Sequence, residues 1–151
     1  MRISAAGSKS RGFTLLELLV VVAIIALTSA GVALAMRDSA HAQLEREAQR
    51  LAALLDSARA LSRASGVAVR WAPTPQGFRF EGLAPTALPT RWSLEQTEAR
   101  ISAPLILGPE PIIGPQDVAL SNASQPDHVL HVVTDGLGPF TVQAHAPATQ
   151  P

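Results

Sequence analysis

The chain has 151 residues, with twelve basic and twelve acidic side chains, twelve prolines and no cysteine. That length leaves room for one modest globular domain beside an apolar segment. The absence of thiols excludes a disulfide framework, a thiolate zinc site and a cysteine nucleophile, so in an oxidising compartment packing alone must hold the domain. Arg2, Lys9 and Arg11 form a basic flank with no acid among them, which leaves nine basic against twelve acidic residues from position 13 onward. A basic N-terminal flank orients a membrane segment with its N-terminus in the cytoplasm. The remainder carries no basic footprint for nucleic acid.

Residues 11–36, RGFTLLELLVVVAIIALTSAGVALAM, come first in chain order. Their apolar run is long enough to cross the ~30 Å hydrocarbon core of a bilayer. Glu17 stands near its start, where a charge costs roughly 2.5 kcal/mol or more, so its presence requires a reason. All prolines lie at or beyond Pro73, and proline breaks helix interiors. One uninterrupted helix is therefore predicted from 13 to about 64, apolar all round to Met36 and amphipathic beyond it. Leu44, Ala48, Leu51, Leu55 and Ala58 make its stripe, with Leu54 and Leu61 widening it. Arg46, Glu47, Arg50 and Arg59 are placed largely on the opposite face. Gly66 is the natural stop.

Beyond Gly66 the period changes to two. Val67, Val69 and Trp71 alternate with Ala68 and Arg70, and Phe78 and Phe80 with Arg79 and Glu81; Pro73–Gly77 turns them into a hairpin. Ile101–Leu107 reads as one strand interrupted by Pro104, which favours an edge. Residues 108–117 are too rich in Pro and Gly for regular structure. Val118–Leu120, Val129–Thr134 and Phe140–Gln143 complete the strands, and Asp135-Gly136-Leu137-Gly138 joins the last two. The fold class is α+β: a long N-terminal helix on a small, mostly antiparallel sheet. The divisions are 1–12, a leader; 13–36, a transmembrane or filament-core helix; 37–65, an amphipathic helix; 66–145, a β domain; and 146–151, a disordered tail.

Three readings compete for the N-terminal segment. A secretory signal peptide would be cut after Ala35, at Ala33-Leu34-Ala35, but its apolar core is normally only about 7–15 residues long. A plain single-pass anchor has no use for Glu17. The third reading places cleavage between Gly12 and Phe13. Lys9-Ser10-Arg11-Gly12-Phe13-Thr14-Leu15-Leu16-Glu17-Leu18 resembles the signature of the type IV pilin and pseudopilin family: a short basic leader, Gly, then Phe-Thr-Leu-Leu-Glu and an apolar helix.

That resemblance implies a pilin-like fold, cleavage by a prepilin peptidase after Gly12, and N-methylation of the new terminus at Phe13. Gly12 suits such a site because, without a Cβ, it lets a protease approach the backbone. The resemblance also implies that Glu17 pairs with the terminal amine of a neighbouring subunit, recovering much of the cost of its burial in an apolar filament. Ala23, Ala26, Ala30 and Ala33 allow close helix–helix approach, or are ordinary alanines of an apolar helix.

The soluble part is most similar to the GspH/FimT group, the H-type minor pseudopilins and their pilus relatives. This rests on the helix end Leu51–Arg59 leading through Ser65-Gly66 to Val67–Arg70, on Phe78-Arg79-Phe80, and on Thr134–Phe140 before the closing strand. The helix lacks the mid-membrane proline of many major pilins; position 34 is leucine.

Asp127, His128, His131 and Asp135 are the only cluster of metal-ligand types, but residues three apart on a strand face opposite ways. Ser62 and Ser65 lack a nucleophile-elbow context. Asn122-Ala123-Ser124 matches a glycosylation sequon, without meaning under bacterial-type processing. Trp71 and Trp92 read as packing residues. No catalytic residue, metal or cofactor is expected.

The reading is thus a minor pseudopilin of a type II secretion system. It would sit in the inner membrane with a periplasmic C-terminal domain, then in a periplasmic pseudopilus beside major and minor pseudopilins, near the secretion channel and its substrates. Two alternatives stay open: a FimT-like minor pilin for pilus assembly or DNA uptake, which would need an exposed basic patch, and a secreted protein cut after Ala35.

Overall fold

A computed structural model describes residues 14–146. The chain forms one long helix, α1 (Leu15–Ser65), followed by seven strands: β1 (Arg70–Thr74), β2 (Gly77–Glu81), β3 (Thr97–Arg100), β4 (Leu105–Ile106), β5 (Gln116–Asn122), β6 (Gln125–Thr134) and β7 (Thr141–Gln143). The α+β expectation holds. The described residues divide into two compact units, parted between Asp38 and Ser39.

In the first unit, the described side chains from Thr14 to Met36 are exposed. An 18-residue window of α1 reaches a mean hydropathy of 2.7, enough by length and composition to cross a membrane. Leu15 is 81% exposed and Leu27 75%. An all-round apolar helix left open to water is unfavourable at about 25 cal/mol per Å² of apolar surface, so this one requires apolar surroundings. Of its interior polar residues, Thr28 is satisfied locally: its hydroxyl lies 2.9 Å from the Ile24 carbonyl oxygen and 3.0 Å from that of Ile25, which suits a segment without water to bond.

In the second unit, Leu44, Ala48, Leu51, Leu55 and Ala58 are buried as one helical stripe. Leu54 packs half-buried against them, whereas Leu61 is 39% exposed. At about 100° per residue, Leu61 falls roughly 100° from the centre of the stripe, too far round to reach the core. Gly66 ends the helix in the left-handed region at φ 68°, and its N–H donates to the Ser62 carbonyl at 2.9 Å, the usual chemistry of a glycine terminus.

The strands form two antiparallel sheets rather than the single one expected, ordered β2-β1-β4 and β3-β5-β6-β7. The β1–β2 hairpin pairs Trp71 with Phe80 and Thr74 with Gly77. Val67 is exposed and precedes β1, while Val69 and Trp71 are buried. Ile101–Leu107 is not one strand. Pro104 has no N–H to give a ladder, and across Ile101–Pro104 the chain changes sheets: Thr97–Arg100 pairs with β5 and Leu105–Ile106 with β1. The β4 piece does lie at an edge. Irregular backbone covers 107–115, so Gln116 and Asp117 already belong to β5.

The two sheets and the helical stripe share one core, with Trp71, Phe78, Leu105 and Leu107 on one side and Val118, Leu120, Leu130, Val132 and Phe140 on the other. Phe78 gathers Trp71, Phe80 and Trp92 at centroid distances of 5.9, 5.8 and 4.6 Å. Trp71 is fully buried and Trp92 packs partly buried, in keeping with their reading as packing residues.

Candidate functional site

Thr14 and Glu17 define the start of α1. The Glu17 N–H donates to Thr14 Oγ1 at 3.2 Å, and the Leu18 N–H to the Thr14 carbonyl at 3.2 Å. Thr14-Leu15-Leu16-Glu17 is therefore an S/T-x-x-E capping arrangement, with Thr14 as N-cap and Glu17 at the third helical position. An acid in the first turn is also stabilised by the positive end of the helix dipole, by about 0.3–1 kcal/mol at a surface. This local reason for Glu17 is readable in the Thr-x-x-Glu spacing alone. Gly12 and Phe13 lie outside the described residues, as do 1–12 and 147–151 of the expected leader and tail. Ala23, Ala26 and Ala30 are exposed along the helix.

Two charged helix residues expected on the open face are buried instead. Glu47 is 3% exposed and Arg59 5%. Both sit about 60° to either side of the stripe's centre, on its margins rather than opposite it, and each has a partner far along the chain. The Glu47 carboxylate accepts the Ser93 N–H at 3.1 Å and pairs with Arg50 at 2.8 Å. Arg59 donates to the carbonyls of Gly138 and Gly136 at 2.7 and 3.3 Å. Asp56, one turn away, accepts the Phe140 N–H at 3.3 Å. The helix thus grips the turn 135–140 that precedes β7. Within that turn, Asp135 Oδ1 accepts the N–H groups of Leu137 and Gly138 at 2.9 and 2.8 Å. These amides, that of Gly138 foremost, hold the carboxyl below its usual range.

The sequence cluster Asp127, His128, His131 and Asp135 is separated by the fold. His131 Nδ1 lies 2.9 Å from Asp117 Oδ1 across the β5–β6 pair. His128 stacks on His41 of α1, with ring centroids 4.0 Å apart and 25° between planes. Burial, then the charge of His41, lowers the His128 pKa. Among the described residues, no group of three or more His, Asp or Glu side chains is placed to hold a metal ion. Ser62 Oγ lies 2.6 Å from the Val67 carbonyl oxygen and Ser65 Oγ 2.9 Å from that of Leu61, local bonds of a helix end. Asn122 Oδ1 accepts the Ser124 N–H at 2.9 Å, shaping the β5–β6 turn.

A cleft of about 1060 Å³ opens in the second unit, between the β4 edge, loop 107–115 and the adjoining ends of β5, β6 and β7. Ile106, Ile112, Glu110 and Asp117 line it.

Residues 7–33 match a family model described as the prokaryotic N-terminal methylation motif. The chain therefore carries such a motif, and it runs directly into the exposed apolar part of α1. No curated protein and no solved structure matches the chain.

Proposed function

We propose that this chain is a type IV pilin-like subunit, specifically a minor pseudopilin of a type II secretion system. In this reading the leader 1–12 is removed by a prepilin peptidase after Gly12, Phe13 becomes the N-methylated terminus, and 13–36 anchors the subunit in the inner membrane before assembly. Residues 37–65 then carry the periplasmic β domain, 66–145, and the subunit joins other pseudopilins in a short periplasmic filament. Its work is structural, so no residue is assigned to catalysis.

The observation that carries the reading is the methylation motif of residues 7–33 feeding straight into an uncovered apolar helix. Such a helix suits a membrane before assembly and a bundle of like helices afterwards. Glu17 would serve both states, completing the helix start locally and offering a carboxylate to a neighbouring subunit's Phe13 amine. An unpaired charge among apolar helices is costly, so subunits in wrong register are disfavoured. The H-type assignment rests on the resemblance of Leu51–Arg70 and of Thr134–Phe140 to that group.

Mass spectrometry of the protein recovered from bacterial membranes tests the processing step. The expected N-terminal peptide begins at Phe13 and carries one added methyl group. A terminus at Met36 would identify a secreted protein and end this reading. Loss of the processed form when the host's prepilin peptidase is deleted is the accompanying expectation.

A further inference from the structure

The cleft beside β4 has a one-sided chemistry. No Lys or Arg occurs after Arg100, and of the four acids beyond that point, Glu110, Asp117 and Asp135 line the cleft. Glu110 is exposed and takes part in no ion pair among the described residues. The apolar component is also uncovered: Ile112 is 67% exposed and Ile106 50%. A third observation is independent of charge. Gln116 Nε2 donates to the Ile106 carbonyl at 2.6 Å, which fixes the orientation of the amide. Its Oε1 is left buried without a donor. The cleft thus presents carboxylates without a Lys or Arg, its wall holds an amide oxygen without a donor, and Ile106 and Ile112 lack cover.

The geometry points to this cleft as the docking groove for an extended polypeptide segment of a partner protein that alternates Lys or Arg with apolar side chains. The apolar side chains cover Ile106 and Ile112, and the cations face Glu110, Asp117 and Asp135. Charge complementarity of this kind selects the partner and its register more than it sets raw affinity. Occupancy of the groove does not depend on filament assembly, so the two readings fail separately.

The test uses the full chain in nonionic detergent micelles and a fluorescent seven-residue peptide alternating Lys and Val, read by anisotropy. A Glu-Val peptide of the same length is the charge control. Wild type is expected to bind the Lys-Val peptide at least about tenfold more tightly than the control, with affinity falling as salt rises. Glu110→Lys and Ile112→Ser alter exposed side chains, so folding is retained, as circular dichroism would verify. Each is expected to weaken Lys-Val binding several-fold, and Glu110→Lys to narrow the gap between the peptides. Equal affinity for both peptides would overturn the assignment. So would unchanged binding by both variants, since the peptide would then be held by the micelle or by another surface.

Discussion

The Arg59 guanidinium, carried by α1, donates to the carbonyl oxygen of Gly138 at 2.7 Å, across 79 residues of sequence. Its side chain is 6% exposed, and the nearest carboxylate, that of Asp56, is 3.9 Å away. The charge is therefore held by turn carbonyls more than by an ion pair. Arg59→Met keeps most of the stem and removes the donors. Gly138 would retain its bond from the Thr134 hydroxyl at 3.0 Å, and Gly136 its bond from the Ile113 N–H at 3.3 Å. That second donor limits the expected loss to about 2 kcal/mol, a fall in Tm of roughly 5–10 °C for a domain of this size. Thermal unfolding of the full chain followed by circular dichroism checks it, and an unchanged Tm would show that the grip adds nothing to stability.

Gly136 tests the same turn from the backbone side. It adopts φ 90°, and a Cβ there would land on the Ile113 carbonyl oxygen. Gly136→Ala combines left-handed strain with a collision against backbone, and is expected to cost about 2–4 kcal/mol. Gly114→Ala is the matched control, because a Cβ at Gly114 meets nothing within 4 Å. It should leave denaturant midpoints within about 0.5 kcal/mol of wild type. Equal midpoints for the two variants would contradict the close approach of Gly136 to loop 107–115.

These contacts mark where the sequence was legible and where it was not. The helix, its end at Gly66 and the β1–β2 and β6–β7 hairpins follow from local rules: no proline before Pro73, a glycine where φ turns positive, and alternation about Trp71 and Phe78. Thr97–Arg100 is not legible as a strand because Thr-Glu-Ala-Arg has no apolar alternation; it is a strand through its pairing with β5. The burial of Glu47 and Arg59 is not legible locally, because a charge on a stripe's margin is buried only if a partner arrives from elsewhere, here Ser93 and the Gly136–Gly138 turn. Sequence sets His131 beside His128, whereas strand pairing gives it Asp117. The capping role of Thr14 was readable from spacing alone.

The stacked pair His41 and His128 makes stability fall on acidification. Burial and His41 lower the His128 pKa from its ordinary 6.5, so near and below that value the unfolded chain binds more protons than the folded one. Stability contributed by neutral His128 is then complete above 6.5 and is lost as pH falls toward the lowered folded value. The ring is partly exposed, so the effect is small. Comparing denaturant midpoints at about pH 7.5 and about pH 5.5, wild type should lose more stability than His128→Gln. An identical loss in both would remove His128 as the cause.

Glu17 has two separable roles, and one substitution divides them. The bond from its N–H to Thr14 Oγ1 belongs to the backbone, and glutamine serves as well as glutamate at this position of a capping box. Glu17→Gln therefore preserves the helix start while removing the charge, whereas Glu17→Ala removes the side chain from both roles. If the carboxylate pairs with a neighbouring Phe13 amine, both variants should be cleaved after Gly12 and both should enter filaments poorly. Thr14→Val provides the converse: it deletes the cap acceptor and keeps the charge, costing about 1 kcal/mol at the helix start with assembly largely preserved. Cleavage and sheared-filament content, measured by immunoblot in cells expressing each variant, distinguish these cases. Filament incorporation of Glu17→Gln at the wild-type level would reduce Glu17 to a helix-capping residue and withdraw its pairing role.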